Sequence, residues 1–326
     1  MAASLSPADI GPPVCALVDW GTTRFRLWLV DAAGHVVLER QSADGLDAGR
    51  ARGFETILEE QLGAVGAPEG LPVVLCGMVG SRQGWVEAPY LSAPAALDHI
   101  AASAVTIPHK SRNIRLLPGI SQLDPAPDVM RGEETQLLGL PEEVQTQALV
   151  CLPGTHSKWA HLSGGRLTRF LSIMTGEIFA ILSEHSILRH SMPRQDAATA
   201  MDDGVFRAGV CDALAAPQAG FGPLFGLRAS SLLTDTTAAQ SRARLSGLLI
   251  GAEIAAARHQ FAGTMNTVPL MLVVSGPLAA LYEMAFDVAG LTPTLHDADT
   301  LVRGGMLRAA SLTMPELFRE RMASHG

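Results

Sequence analysis

Residues 14–30 read VCALVDWGTTRFRLWLV, and this stretch decides the fold. Two apolar runs, at residues 14–18 and 25–30, flank the turn sequence Asp19-Trp20-Gly21-Thr22-Thr23. A second turn ends at Gly34 and leads into another strand-like segment at residues 36–40. Strand-like segments that are separated by short glycine turns indicate β-hairpins. We therefore predict two successive hairpins at the beginning of the chain.

The same pattern occurs again in the second half of the sequence. Residues 148–152 are apolar and lead into Gly154-Thr155, which lies 133 positions after Gly21-Thr22. The glycine of the next turn, Gly164, lies 130 positions after Gly34. A repeated order of strand, Gly-Thr turn, strand, glycine turn and strand predicts a duplicated α/β unit.

The length agrees with such a duplication, because 326 residues are comfortable for two domains. We predict an N-terminal α/β domain over residues 1–145 and a C-terminal α/β domain over residues 146–326. Each domain carries one of the two Gly-Thr turns. Among the connecting segments, residues 93–105, 238–261 and 278–288 are predicted to be helical.

Composition argues against several classes of function. Acidic residues outnumber basic ones by 32 to 24 and no basic block occurs, so we do not expect a nucleic-acid partner. Residues 1–13 lack the features of a signal peptide and are predicted to form a loose tail. Prolines and polar residues interrupt the longest uncharged stretch, at residues 263–282, so no membrane span is expected.

The cysteines add a further expectation, and lysines are few. The four cysteines are far apart and form no CxxC pair, which favours reduced thiols and a cytoplasmic location. Only Lys110 and Lys158 are lysines. The sequence leaves the oligomeric state open, a homo-oligomer included.

Common nucleotide and metal motifs are absent from the sequence. There is no Gly-Lys dipeptide and therefore no Walker A loop, and there is no GxGxxG fingerprint. HExxH and spaced Cys/His sets are also missing, which removes the common zinc sites. Any anionic ligand must therefore be held by other groups.

The two Gly-Thr turns are candidates for phosphate binding. Glycine lets the backbone approach a phosphate, and amide and hydroxyl groups donate to its oxygens, while Asp19 can hold Mg²⁺ directly or through water. The alternative for either turn alone is an ordinary β-turn with solvated polar residues. The candidate phosphate-binding residues are Gly21, Thr22, Thr23, Gly154, Thr155, His156, Ser157 and Lys158.

The segment ahead of the second turn offers a catalytic carboxylate. Transfer of a phosphoryl group to a hydroxyl needs a carboxylate that takes the proton. Gly132-Glu133-Glu134 lies in a turn before the apolar residues 137–140. We predict Glu133 as the base, with Glu134 as the second candidate. Both acids also suit the N-terminus of a helix, where they favour the helix dipole.

A glycine-rich loop, residues 77–85, follows a predicted strand, as ligand-binding loops do in open α/β sheets. Its arginine can pair with a carboxylate or phosphate, and its aromatic residues can line a sugar; the alternative is a surface loop with a packed tryptophan. The candidate substrate-binding residues are Arg24, Ser81, Arg82, Trp85 and Tyr90. The small residues Ser275, Gly276 and Pro277 are candidates for contact with an adenine.

On these residues the sequence resembles the 2-dehydro-3-deoxygalactonokinase family of the actin/hexokinase/Hsp70-like ATPase superfamily. Residues 19–27 resemble the first phosphate motif of that superfamily, residues 153–159 the second and residues 274–277 the adenosine motif. The phrases at residues 77–85, 131–136 and 174–177 are similar to those of the kinase family.

The resemblance implies two ribonuclease-H-like domains around a central cleft. It also implies ATP-dependent phosphorylation of the C6 hydroxyl of 2-dehydro-3-deoxy-D-galactonate in galactonate catabolism, with Mg²⁺ and with ATP as co-substrate. In related kinases a Gly-Asp turn supplies the base, whereas Gly132-Glu133 stands here. The second phosphate motif begins with Leu152-Pro153 where an Asp is common, which assigns more of the metal coordination to Asp19.

Two alternatives remain open at this point. The same fold can phosphorylate a hexose, an amino sugar or the gluco-configured keto acid, and a panel of acceptors separates these substrates. A nucleotide-gated binding or regulatory protein is the other alternative, and it would need an added peptide-binding or DNA-binding domain.

Overall fold

The computed structural model describes residues 10–192 and 201–318. Most of the predicted N-terminal tail, residues 1–9, lies outside the described residues. Within them, unit 1 comprises residues 10–146, 162–169 and 298–318, and unit 2 comprises residues 147–161, 170–192 and 201–297. The β-strands are divided between the two units.

The main sheet of unit 1 has the strand order β3-β2-β1-β4-β8-β7. β1 pairs antiparallel with β2 and parallel with β4, and β4 pairs parallel with β8. Nearly every residue of β1 is buried, as expected for a central strand that is covered on both faces. These strands are β1 (Cys15–Trp20), β2 (Phe25–Val30), β3 (Val36–Ser42), β4 (Val73–Gly77), β7 (Val105–Ile107) and β8 (Ile114–Leu116).

Helices and a small second sheet, of order β10-β9-β5, complete the first 146 residues. The apolar side of α2 packs on the sheet through Ile57, Leu58 and Leu62, which are fully buried. The remaining strands are β5 (Leu91–Ser92), β6 (Ala95–Ala96), β9 (Ile120–Gln122) and β10 (Asp128–Met130). The helices are α1 (Leu46–Arg52), α2 (Phe54–Ala64), α3 (Asp98–Ala102), α4 (Glu133–Leu138) and α5 (Glu142–Thr146).

The strands of unit 2 follow the order β15-β14-β11-β12-β13. β11 pairs parallel with β14, which pairs parallel with β15. These strands are β11 (Gln147–Leu152), β12 (Ser157–Ser163), β13 (Arg166–Ile173), β14 (Leu270–Val273) and β15 (Thr294–His296). The helices are α6 (Thr175–His185), α7 (Asp203–Ala215), α8 (Leu224–Leu233), α9 (Ala238–Gln260) and α10 (Leu278–Val288).

The two units share one topology. In each, three consecutive strands joined by short turns are followed in the sheet by two parallel strands, which gives the spatial order 3-2-1-4-5. Short turns between neighbouring strands require antiparallel pairing, whereas the parallel strands need helical crossovers. The predicted duplication is therefore confirmed, and each unit has the topology of the predicted ribonuclease-H-like α/β fold.

The units differ in extent from the predicted domains, which met between residues 145 and 146. The last helix, α11 (Ala298–Thr313), belongs to unit 1, although the prediction placed it in the C-terminal domain. Glycines let α11 and α4 pack backbone against backbone: a Cβ on Gly305 would lie 1.9 Å from the Thr135 carbonyl oxygen, and one on Gly139 would lie 2.0 Å from that of Leu301. Packing of this kind has no local sequence signature.

The predicted helix at residues 93–105 is wrong over most of its length. Pro94 has no N–H, and the next residues form β6, which pairs with the beginning of β13 in unit 1. Only α3 is helical in this segment, whereas α9 and α10 agree with their predictions. Across residues 10–192 and 201–318, no helix combines the length and the apolar character that a membrane crossing requires.

Candidate active site

The C-terminal ends of β1 and β4 bring Asp19, Gly77 and Gly132 together in unit 1. A Cβ placed on Gly77 would lie 3.1 Å from Asp19 Oδ1, and one placed on Gly132 would lie 3.8 Å from the Cα of Gly77. Gly77 and Gly132 have φ angles of 90° and 110°, which L side chains rarely adopt. This sheet end is where open α/β sheets bind ligands.

Asp19 is held by Arg26, which is not among the predicted site residues. Arg26 stands opposite Asp19 in the hairpin, and its Nε donates to Asp19 Oδ2 over 3.1 Å. Its Nη2 donates to the same oxygen, and its Nη1 donates to the carboxylate of Asp299 on α11. Burial lowers the pKa of Arg26, but the carboxylate of Asp19 outweighs it and the pKa is raised. Only the cross-strand position of Arg26 could have indicated this contact.

The first Gly-Thr turn, residues 21–24, is closed by a hydrogen bond of 2.9 Å from the Gly21 amide to the Arg24 carbonyl oxygen. Thr22, Thr23 and Arg24 are exposed. The turn rests on the beginning of α1, where the Leu46 amide donates to the Thr22 carbonyl oxygen over 2.9 Å. A Cβ on Gly45 would lie only 2.2 Å from that same oxygen, so the approach requires glycine.

The second Gly-Thr turn, residues 154–157, repeats this support in unit 2. The Glu177 amide at the beginning of α6 donates to the Thr155 carbonyl oxygen over 3.0 Å. A Cβ on Gly176 would lie 2.6 Å from the Gly154 carbonyl oxygen. Thr155 and His156 are exposed, and His156 Nε2 lies 2.5 Å from the Glu177 carboxylate. In both units, therefore, the Gly-Thr turn packs against a glycine at the beginning of the helix that follows the third strand.

Two predicted phosphate ligands of this turn are buried. Ser157 is fully buried; its Oγ accepts from the Gly154 amide over 3.4 Å and lies 3.1 Å from Tyr282 Oη. Lys158 is 3% exposed, and its Nζ donates to the His156 carbonyl oxygen over 2.9 Å. These contacts stabilise the turn from below, and a direct phosphate contact by either side chain stays a prediction.

A buried carboxylate, Glu253 on α9, anchors the second turn. It accepts hydrogen bonds from Trp159 Nε1 over 3.1 Å, from Tyr282 Oη over 2.8 Å and from Thr175 Oγ1. Burial raises the pKa of Glu253, while these hydrogen bonds oppose the shift. No local pattern indicated this residue, because its partner Trp159 lies 94 positions away in the chain.

Glu133 and Glu134 begin α4 beside Gly77. Glu134 is fully buried: its Oε2 accepts from the Gly132 amide over 2.7 Å and its Oε1 from Thr135 Oγ1 over 3.0 Å. Burial, followed by the neighbouring carboxylate of Glu133, raises the pKa of Glu134 to about 8. Glu133 is half-buried and accepts from the Arg131 amide over 3.1 Å. Its exposed part makes Glu133 the better placed of the two for contact with a substrate.

We expect Glu134→Gln to stabilise the protein increasingly as the pH rises from about 4.5 to about 8. In this window the folded protein retains a proton that the unfolded chain has released, so the unfolding free energy of the wild type falls with pH. Glutamine removes this dependence and still accepts from the Gly132 amide. Melting temperatures at pH 5, 6.5 and 8 test the trend, with a gain of about 1–3 kcal/mol at pH 8. The exposed Glu143→Gln serves as control. A pH-independent difference would contradict the expectation.

The loop at residues 77–90 places its candidate residues differently from one another. Arg82 is 87% exposed at its side chain, with Glu87 3.6 Å away. Trp85 stacks on Phe54 at a ring distance of 6.4 Å and packs against the core of unit 1. This agrees with the alternative of a surface loop with a packed tryptophan. Tyr90 is 39% exposed. Substrate binding by Arg82, Trp85 and Arg24 stays a prediction.

The predicted adenosine motif follows β14 in unit 2. Ser275 Oγ donates to Asp297 Oδ2 over 2.6 Å, and Gly276 has a φ of 70°. Pro277 precedes the first residue of α10, a position that suits its fixed φ. The segment is a glycine turn at the end of a parallel strand, and its contact with adenine stays a prediction.

Asp19 is the candidate ligand for a divalent cation. Within the described ranges, no group of three or more His, Cys, Asp or Glu side chains could hold a metal ion. Asp19 offers a single carboxylate, of which Oδ2 bonds to Arg26 and Oδ1 lies 3.7 Å from Cys76 Sγ. Mg²⁺ is often bound by one or two carboxylates together with substrate phosphates, and Asp19 fits that minimal requirement.

Comparison with known proteins gives one consistent family. A family model described as 2-keto-3-deoxy-galactonokinase matches residues 19–309. A relative from Rhizobium meliloti (strain 1021), named as a probable 2-dehydro-3-deoxygalactonokinase, is 46% identical over 92% of this chain and 97% of its own. The 2-dehydro-3-deoxygalactonokinase of Escherichia coli (strain K12) is 36% identical over 89% of this chain and 94% of its own.

A solved structure agrees with these sequence relatives. A crystal structure from Sinorhizobium meliloti, of a protein assigned as a 2-dehydro-3-deoxygalactonokinase, superposes with a TM-score of 0.86 at 46% identity. The match covers 92% of this chain and 99% of that chain.

Proposed function

The chain belongs to the 2-keto-3-deoxy-galactonokinase family, and on that premise we propose that it phosphorylates the C6 hydroxyl of 2-dehydro-3-deoxy-D-galactonate with ATP. One observation in unit 1 carries the proposal beyond the family match. Gly132, which precedes Glu133, lies next to Gly77, and Gly77 also lies next to the carboxylate of Asp19 at the sheet end where open α/β sheets bind ligands. A half-buried carboxylate at that point is suited to take a proton from a sugar hydroxyl.

Glu133 acts as the general base in this mechanism. The C6 oxygen attacks the γ-phosphorus, the bond from the γ-phosphorus to the bridging oxygen of ADP breaks, and the hydroxyl proton passes to Glu133. Glu134 is buried and hydrogen-bonded through both oxygens, so it holds the turn that presents Glu133. The products are the 6-phosphate of the sugar acid and ADP.

The nucleotide-binding residues are proposed turn by turn. In unit 1, the first Gly-Thr turn exposes Thr22 and Thr23 on a backbone held by Leu46. In unit 2, the second turn exposes Thr155 and His156 on a backbone held by Glu177. Amide and hydroxyl donors of this kind bind phosphate oxygens without a Walker A loop. Residues 275–277 remain the candidate for the adenosine.

Asp19 would hold Mg²⁺ that binds together with the nucleotide. The ion would neutralise phosphate charge during transfer. The chain is acidic and has few lysines, so without the ion only backbone donors and a few arginines would be available for this task. Arg26 orients the Asp19 carboxylate at the end of β1 through the hydrogen bonds that its Nε and Nη2 donate to Oδ2.

We expect Asp19→Asn to lower the Mg²⁺-dependent kinase rate by about 100-fold, because the variant removes the carboxylate charge at the proposed metal site. The rate is measured over a Mg²⁺ titration, and the shift in melting temperature on addition of ADP with Mg²⁺ gives a readout without turnover. Asp47→Asn, at a side chain that is 85% exposed, is the matched control. An unchanged Mg²⁺ dependence in both measurements would argue against the role of Asp19.

The substrate is tested by ADP release across a panel of acceptors. The panel contains the galacto- and gluco-configured 2-keto-3-deoxy acids, the corresponding aldonic acids, a neutral hexose and an amino sugar. We expect the highest kcat/KM with the galacto-configured keto acid. Preference for a neutral hexose or an amino sugar would favour the alternative of a different kinase on the same fold.

We also propose that the enzyme works in the cytoplasm, with ATP and the sugar acid as its small-molecule partners. All four cysteines are free thiols, and three of them, Cys15, Cys76 and Cys151, are buried. Free thiols are usual in a reducing compartment.

A further inference from the structure

Arg131 carries a positive charge that no carboxylate neutralises in the described part of the chain. Its Nη2 donates to the Ala88 carbonyl oxygen over 2.8 Å, and its guanidinium lies 4.4 Å from the centre of the Tyr90 ring. Nε and Nη1 are buried and have no hydrogen-bond partner among residues 10–192 and 201–318. A Cβ on Gly80 would lie 2.8 Å from Nη1, so glycine is what admits the guanidinium here.

An arrangement of this kind is costly unless a ligand completes it. Buried N–H groups of a cation that lack an acceptor lose their hydration without compensation. One carbonyl oxygen and one aromatic ring attract the guanidinium, but they do not cancel its charge. A planar guanidinium is matched by a carboxylate, which accepts two parallel hydrogen bonds from it.

The other arginines around the candidate site differ from Arg131. Arg26 is bound by Asp19 and Asp299. Arg82 is 87% exposed and has Glu87 as its neighbour, so water and a carboxylate already surround it. Binding of an anion would therefore stabilise the guanidinium of Arg131 more than that of Arg26 or Arg82.

The position of Arg131 connects the proposed base to the loop at residues 77–90. Its own amide donates to Glu133 Oε2 over 3.1 Å, while its side chain reaches Ala88 and Tyr90 on that loop. Ser81, which follows Gly80, has a buried Oγ that also lacks a partner among the described residues. A ligand bound along this loop would meet a carboxylate at one end and unsatisfied donors at the other.

We propose that Arg131 binds the carboxylate of the sugar acid, with Ser81 as an additional donor, and so makes the enzyme selective for acids over neutral sugars. This inference rests on the proposed function, which supplies an acceptor with a hydroxyl at one end and a carboxylate at the other. Tyr90 lies over the guanidinium and is 39% exposed, so binding of a substrate carboxylate at Arg131 requires that this side chain move aside. Arg131 thereby takes the role that the sequence suggested for Arg82 or Arg24.

The test compares the keto-deoxy sugar acid with its neutral analogue, in which a C1 alcohol replaces the carboxylate. Both are assayed below KM, which gives kcat/KM for each. We expect Arg131→Met to lower the ratio of acid to neutral kcat/KM by about 100-fold, as for loss of one partner of a buried charge pair. The exposed Arg50→Gln is the control and should leave that ratio within about threefold of the wild type, whereas Arg82→Gln tests the competing assignment.

Each result bears on the inference in a defined way. If Arg131 only held the loop in place relative to Glu133, its loss would lower both values of kcat/KM alike. An unchanged ratio in Arg131→Met would therefore overturn the proposal. Collapse of the ratio in Arg82→Gln alone would also overturn it and assign the carboxylate to Arg82. If Arg131→Met does not fold, Arg131→Lys, which keeps the charge but loses the planar fork, should lower the ratio about tenfold.

Failure of the proposed function itself looks different. In that case the wild type phosphorylates no sugar acid of the panel, and both proposals fall together. Where the wild type phosphorylates the acid and Arg131→Met keeps the wild-type ratio, only the inference about Arg131 fails.

Discussion

Replacing Glu133 by glutamine is expected to lower kcat for sugar-acid phosphorylation by about 10²- to 10⁴-fold, the usual contribution of a general base. Glutamine has the size of glutamate and still accepts from the Arg131 amide, which lies 3.1 Å from the carboxylate in the wild type. The turn before α4 should therefore keep its shape. Only the capacity to accept the hydroxyl proton is lost.

The measurement combines turnover with nucleotide binding. Turnover is followed by ADP release, and ATP affinity is measured by calorimetry in the absence of the acceptor. We expect an ATP affinity within about threefold of the wild type, because Glu133 is assigned to the acceptor hydroxyl and not to the nucleotide. Glu143→Gln, an exposed change on α5, controls for loss of one surface charge.

Near-wild-type turnover in Glu133→Gln with intact ATP binding would show that the base is another group. The same assay on Glu134→Gln then separates the two acids. A collapse there would transfer the role to Glu134, despite its burial and the two hydrogen bonds that it accepts.

Alanine at the glycines beneath the Gly-Thr turns is expected to weaken ATP binding at least about tenfold and to lower the melting temperature by several degrees. At Gly45 the new Cβ would lie 2.2 Å from the Thr22 carbonyl oxygen and 2.5 Å from the Cα of Thr23. At Gly176 it would lie 2.6 Å from the Gly154 carbonyl oxygen and 2.9 Å from the Cα of Thr155. All four neighbours are backbone atoms of the turns, so the turns themselves must shift.

Gly63→Ala provides the matched control for both variants. Gly63 lies near the end of α2, and a Cβ there meets nothing within 4 Å. Alanine at an exposed helical position should stabilise the protein by about 0.5–1 kcal/mol. Wild-type ATP affinity in both Gly45→Ala and Gly176→Ala would refute the assignment of the two turns to the nucleotide.

Much of the fold could be predicted from local patterns. The alternation of apolar runs with Gly-Thr and glycine turns indicated β1 to β3 and β11 to β13, and their recurrence after about 130 residues indicated the duplication. Helices α9 and α10 were found within one residue of their ends. The segment at residues 93–105 failed because pairing of β6 with β13 overrides its helical composition.

Local sequence indicated only those candidate site residues that stand at strand ends and in glycine turns. Local sequence marked Asp19, the two turns and Glu133, since strand ends and glycine turns are encoded by neighbouring residues. It marked Arg82 for the carboxylate because that arginine stands in a glycine-rich loop. It did not mark Arg131, whose distinguishing property is that Nε and Nη1 lie buried without a partner among the described residues.

The sequence by itself indicated the three consecutive strands that begin each duplicated unit, the Gly-Thr turn in each and the kinds of chemical group at the strand ends. Tertiary structure alone decided which distant side chains meet: Arg26 reaches Asp299 across 273 positions, and Glu253 reaches Trp159 across 94. The physical reason is that turns and strands follow from the conformations and burial of adjacent residues. Long-range pairs follow instead from how helices such as α9 and α11 pack, which local periodicity does not encode.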